Sequence, residues 1–127
     1  MYIYRGKIKS NLTDVLFKVA TIENHLKEYI EDREAFLDIK LIINELVING
    51  CKHGNSLNPN KKLGIFIDLK EESIKIVVKD EGCGIPPECL KYDPLSVKPN
   101  GRGLKIVKEL SDSFEIDKNR VIVYRYL

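Results

Sequence analysis

Three short groups of residues carry side chains that could do chemistry. Glu45 and Asn49 stand four apart in an apolar segment, so a helix at about 100° per residue puts them on one face. A carboxylate there could serve as a general base, and a neutral amide oxygen could ligate Mg²⁺ without adding charge beside phosphates. Lys52 and Asp38 fall on the same side, so the plainer alternative is that the stripe is the solvated edge of a helix. Asp80 continues the alternation of Ile74, Ile76 and Val78, which aims its carboxylate at the face the helices cover. Such a group is costly to bury without hydrogen bonds. It either caps a local backbone turn or accepts from a ligand donor such as an adenine amino group. Just beyond it, Gly82 and Gly84 leave room for a flat ligand face against the backbone. The third group is Gly101-Arg102-Gly103-Leu104, directly ahead of a helix, where exposed N–H groups can meet phosphate oxygens.

Periodicity supplies the elements that must hold these groups. Residues 1–9 alternate loosely around Ile3 and Ile8 and make an opening strand. Asn11 caps a first helix, with Asp14 three residues on, and Leu12, Val15, Leu16, Val19, Ile22, Leu26 and Ile30 form its apolar face. A second helix is expected over residues 34–52. It is apolar on most sides (Phe36, Leu37, Ile39, Leu41, Ile42, Ile43, Leu46, Val47, Ile48), which predicts near-complete burial. Gly54, within His53-Gly54-Asn55, suits a left-handed cap at its end. Leu63, Ile65, Ile67 and Leu69, then Ile74, Ile76 and Val78, alternate with mostly polar residues on either side of a turn at 70–73, a β-hairpin with one buried face. Residues 81–103 show no periodicity, and a stretch that long in a compact domain is usually functional. A short helix over 103–110 and a second hairpin, 114–117 and 121–127 turned at Lys118-Asn119-Arg120, complete the order β-α-α-β-β-loop-α-β-β. The expected fold class is α+β, a two-layer sandwich of a mostly antiparallel sheet with helices on one face.

The 127 residues fit one domain, taken as residues 1–127. With 21 Lys+Arg against 19 Asp+Glu, the net charge of +2 gives no argument for a nucleic-acid or membrane surface. The most apolar run, 41–48, is broken by Asn44 and Glu45 and is far short of the ~20 residues that span a bilayer. The N-terminus shows no apolar core of signal-peptide length. Three cysteines without a CxxC pair argue against a disulfide framework and a structural zinc site. Cys51, Cys83 and Cys89 read as buried or loop residues, His25 as exposed, and the whole as a cytoplasmic protein.

The set as a whole resembles a known superfamily. The run from Glu45 through Asn49 to His53-Gly54, the run Asp80-Glu81-Gly82-Cys83-Gly84-Ile85, and Gly101-Arg102-Gly103-Leu104 resemble the N box and the two glycine boxes of the Bergerat-fold (GHKL) ATPases. Over about residues 12–127 the chain most resembles the anti-sigma serine/threonine kinase branch. The resemblance implies the Bergerat ATP-binding fold, with ATP and Mg²⁺ as cofactors. It implies that Asn49 coordinates the Mg²⁺ bridging the phosphates and that Glu45 is the base for the attacking hydroxyl or water. Asp80 would bond the adenine amino group, while Gly82 and Gly84 let base and ribose sit close. Residues 90–100 would be the ATP lid, with Lys98 reaching a phosphate. Gly101 and Gly103 would shape its hinge and the phosphate cradle, with Arg102 and Leu104 in the same nucleotide-binding set. His53 matches the common N-box ending, in a helix-end or a ligand role.

One position departs from the pattern. Members of the superfamily often carry a Gly-Thr pair entering the last strand near adenine, where this chain has Asn119-Arg120-Val121. The implied function is an ATP-dependent serine/threonine protein kinase that acts as an anti-sigma factor and phosphorylates a Ser or Thr of an antagonist protein. The alternatives are a nucleotide-dependent binding module without catalysis and a catalytic domain serving another chain's His. Implied partners are ATP or ADP, a sigma factor and its antagonist, with no direct nucleic acid and no membrane; a homodimer is left open.

Overall fold

Alternating burial along each strand and one helix layer account for the architecture. The computed structural model describes residues 1–82 and 99–127, with the side chains of 99–102 set aside. Its elements are β1 (Tyr2–Lys9), α1 (Leu12–Tyr29), α2 (Arg33–Asn49), β2 (Lys62–Leu69), β3 (Ser73–Lys79), α3 (Pro99–Leu110), β4 (Ser113–Asp117) and β5 (Arg120–Tyr126). The strands form a five-stranded sheet in the order β1-β2-β3-β5-β4, and every pairing in it is antiparallel. This is the expected α+β fold, with helices on one side of an open sheet.

Local chemistry fixes the helix starts. Asn11 Oδ1 accepts from the N–H groups of Thr13 (2.9 Å) and Asp14 (3.3 Å), and Asp32 Oδ1 accepts from Glu34 N–H at 3.1 Å. Between the layers, Val15, Val19, Ile22 and Leu26 of α1 and Ile39, Ile42, Ile43, Leu46 and Val47 of α2 are buried. They meet the inward residues of β2, β3 and β5, with Leu104 and Val107 of α3 closing one end of the core.

Four expectations about the elements change. Ile3 and Ile8 have opposite parity on β1, so both cannot face the core; Ile3 is 68% exposed, and Tyr2 and Tyr4 pack against the helices instead. Leu37 and Leu41 of α2 are 47% and 40% exposed, and Leu16 of α1 is also exposed, because these positions turn away from the sheet. α2 does not end in a left-handed glycine. It runs into a π-helical turn, Gly50–Gly54, and the left-handed residues come later, at Ser56 (φ 52°) and Leu57 (φ 56°). Finally, α3 begins at Pro99 rather than near Gly103, consistent with the preference for proline in a first helical turn. Among the described residues, no helix is long and apolar enough to cross a membrane.

Candidate functional site

Asp80 follows the last residue of β3, and its side chain does turn inward, leaving 6% exposed. Its backbone is held by the β4–β5 turn: Asp80 N–H donates to the Asn119 carbonyl at 3.0 Å, and the Asn119 side-chain amide donates to the Asp80 carbonyl. The departure from the superfamily pattern therefore sits directly against Asp80, with Asn119 as its clamp. The carboxylate caps a local turn, since Oδ1 accepts from Gly82 N–H at 2.7 Å. Oδ2 lies over Gly54, where an added Cβ would come within 2.0 Å of it. Gly54 is thus needed for the close approach of Asp80, not for a special backbone angle. Gly82 is needed for a similar reason: its Cβ would fall 2.3 Å from the Gly54 carbonyl oxygen. Burial pushes the Asp80 carboxyl above its ordinary range; the Gly82 hydrogen bond and the charge of Lys61 oppose that shift.

Asn55, to which the sequence pattern assigns no role of its own, ties this region together. It is fully buried. Its amide donates to Ser10 Oγ at 2.7 Å and to the Lys62 carbonyl at 3.0 Å, while its Oδ1 accepts from Glu81 N–H at 2.6 Å. The Glu81 carboxylate in turn accepts from Lys62 N–H. One side chain thereby joins the ends of β1, of the π-helical turn and of β3 to the start of β2. The signal available in sequence was a polar residue immediately after Gly54, too common in turns to single out.

At the other end of the strip, Glu45 and Asn49 are both half-buried on α2. A Cβ at Gly103 would lie 2.5 Å from Glu45 Oε2, so the carboxylate rests against the backbone of α3. Among the described residues, neither Glu45 nor Asn49 has a side-chain hydrogen-bond partner. Asp38, which shares their stripe, is instead engaged by Arg125 of β5 at 2.9 Å. Lys52 and His53 are exposed, and the solvated-edge alternative fits Lys52 but not Glu45. Cys51 is buried, and burial raises its thiol pKa, which makes it unreactive.

α3 places Gly101 and Gly103 inside its opening turns. Among the described residues, the N–H groups free at its N-terminus are those of residues 100 and 101, because Pro99 has none and later amides bond within the helix. Leu104 is a core residue. Gly84, Lys98, Cys83, Cys89 and most of the expected lid lie outside the described residues, as does the Arg102 side chain.

Glu45 against Gly103 and Asp80 against Gly54 and Gly82 bring the three groups onto one strip along the end of α2. The chain matches the histidine kinase-like ATPase domain over residues 10–124. It belongs to that family. The membership implies that the chain binds ATP. Among curated proteins, the chain is similar to the anti-sigma F factor of Bacillus cytotoxicus, with 30% identity over 81% of this chain and 74% of the relative. The anti-sigma F factor of Shouchella clausii is 27% identical over 79% of this chain and 72% of that protein. That of Oceanobacillus iheyensis is 33% identical over a shorter match, 62% of this chain and 58% of the relative.

Proposed function

We propose that this chain is a one-domain serine/threonine protein kinase that acts in the cytoplasm as an anti-sigma regulatory factor, using Mg·ATP to phosphorylate a Ser or Thr of an antagonist protein. The observation that carries the reading is the juxtaposition of Glu45 with Gly103 at one end of the strip and Asp80 with Gly54 and Gly82 at the other. Glu45 and Gly54 are nine residues apart, more than two helical turns, which suits a nucleoside triphosphate lying lengthwise. Asp80 would accept from the adenine amino group through Oδ2, its Oδ1 being committed to Gly82. The amides at the start of α3 would face the phosphates. The names of the anti-sigma F relatives support the regulatory role and its sigma-factor and antagonist partners.

The residues present also fit a magnesium ion. The Asn49 amide is half-buried, lacks a partner among the described residues and stands one turn from Glu45. That is one neutral oxygen donor, which suffices for an ion that keeps its remaining positions for water and phosphate oxygens. Bound there, the ion would neutralise charge on the transferring phosphoryl group. In the transfer, the acceptor hydroxyl oxygen forms a bond to the γ-phosphorus as the bond to the β-phosphate oxygen breaks and ADP leaves. Glu45 takes the hydroxyl proton.

Incubation with γ-labelled ATP and the antagonist protein tests the whole reading. Label on a Ser or Thr of the antagonist is expected, reduced about 10²–10⁴-fold in Glu45→Gln with nucleotide affinity retained. Label on a His, or ATP binding without transfer, would replace the proposal with one of its alternatives.

A further inference from the structure

The sheet face opposite the helices carries a second feature. One cross-strand row runs Lys7, Gly64, Lys79, Arg120 over β1, β2, β3 and β5, and ends at Asp117 of β4. The next row runs Arg5, Phe66, Val77, Ile122. Because Gly64 contributes no side chain, the first row has a gap between two lysines about 10 Å apart at ordinary strand spacing. The result is a shallow depression of about 450 Å³, with Phe66 and Val77 at its floor and Arg5, Lys7, Lys75, Lys79 and Arg120 around it.

Among the described residues, no carboxylate lines this depression. Arg120 is paired with Asp117 at 2.8 Å; among the described residues the other four cations have no ion pair. Lysines on an edge strand serve to discourage strand pairing, but Lys75 and Lys79 lie on β3, the middle strand, where there is no edge to protect. Lys79 and Arg120 are direct cross-strand neighbours, and the Asp117 carboxylate beside Arg120 offsets one of the two charges, leaving Lys79 without an ion pair among the described residues.

We propose that this face is a docking surface for an acidic segment of a partner protein, which seats an apolar side chain over Gly64 and sets its carboxylates against the surrounding cations. With the Phe66 ring taken by Arg5, the gap over Gly64 beside Val77 is what asks for a hydrocarbon group, and the cations without an ion pair ask for anions. A single-stranded nucleic acid fits less well. The Arg5 guanidinium already covers the Phe66 ring at 5.0 Å and the Lys75 ammonium covers Tyr124 at 5.5 Å, so the rings on which bases would stack are occupied. A guanidinium held flat on a ring keeps its N–H edge free for a carboxylate. The inference does not depend on the nucleotide reading, since none of these residues belongs to the strip along α2.

The test is fluorescence anisotropy of a labelled peptide, Asp-Glu-Leu-Glu-Phe-Asp-Glu, with the full chain. The comparison probes are the same peptide with Leu and Phe replaced by Gly, oligo-dT, and phosphatidylserine vesicles. The expected result is saturable, salt-sensitive binding that weakens about tenfold when the apolar residues are removed from the peptide. Gly64→Leu should have the same effect by filling the depression. It is sterically allowed, because a Cβ at Gly64 meets only ordinary contacts with Lys79, at 3.7 and 3.8 Å. The double variant Arg5→Glu/Lys7→Glu probes the charges and carries the test if Gly64→Leu does not fold. ATP affinity should be unchanged in both variants. No saturable binding of the peptide, wild-type affinity in both variants, or tighter binding of oligo-dT or vesicles would overturn the proposal.

Discussion

Asp80 shows how one side chain can be set against itself. Its carboxyl pKa is raised by burial, so the folded protein holds the proton more tightly than the unfolded chain does. The stability this contributes is present below the unfolded carboxylate pKa and is lost as pH rises through the folded value. Asp80→Asn does not titrate and can still accept from Gly82 N–H. It should therefore gain melting temperature relative to the wild type as pH rises from about 4 toward neutrality, which a thermal scan across pH would show. The same variant should weaken ATP binding by about 1.5–3 kcal/mol, the worth of a charge-assisted hydrogen bond, as read by calorimetry. Stability and affinity are expected to move in opposite directions; a parallel loss would mean that Asp80 is purely structural. Asn55 makes the opposite case. Asn55→Asp would set a carboxylate oxygen against the Lys62 carbonyl, and the loss of stability should be about 1–3 kcal/mol, seen as a lower urea midpoint.

At the scale of elements, two glycines govern how α2 and the turn after it meet their neighbours, and they differ in what a methyl group would strike. At Gly103 the nearest atom is Glu45 Oε2, the far end of a flexible side chain. Gly103→Ala should therefore be tolerated, and helix propensity should add up to about 1 kcal/mol of stability in chemical denaturation. The displaced carboxylate should nevertheless bring phosphoryl transfer down toward the level of Glu45→Gln. At Gly82 the obstacle is the carbonyl oxygen of Gly54, which is backbone and cannot swing aside. Gly82→Ala should lower the melting temperature as well as ATP affinity. If both alanine variants lost stability alike, the packing of α3 on α2 would be tighter than a single carboxylate contact. The π-helical turn that ends α2 belongs at this scale too. It carries the chain from Asn49 to Asn55, so that one element end positions both the candidate Mg²⁺ ligand and the buried amide that anchors the turn after Asp80.

Over the whole molecule, the site depends on a core shared by the two layers. Ile43 of α2 and Ile76 of β3 are fully buried within it. Truncating either to alanine should cost about 2–5 kcal/mol, a large part of the roughly 5–15 kcal/mol that holds a domain of this size together. Urea denaturation should show this as a lower midpoint with little change in slope. The ion pair of Arg125 with Asp38, 2.9 Å across from β5 to α2, links sheet and helix outside that core. Because it is only partly buried, Arg125→Met should change stability by little more than about 1 kcal/mol.

The sequence by itself determined the element order, the parity of Asp80 and the two hairpins, because these depend on periods of two and three to four residues that neighbouring positions set. It also determined the family through the Glu45–Asn49, Asp80–Gly82 and Gly101–Gly103 groups, which are local in the chain. Contacts between distant segments were beyond its reach. That Gly54 and Gly82 are glycines to admit Asp80 and a neighbouring carbonyl, that Gly103 admits Glu45, and that Asn119 and Asn55 clamp the turn after β3 all depend on segments tens of residues apart meeting in space. Periodicity likewise could not say which apolar side of α2 would face away from the sheet, leaving Leu37 and Leu41 exposed. A pattern of side chains fixes which face of an element is apolar; only packing decides which of those faces finds a partner.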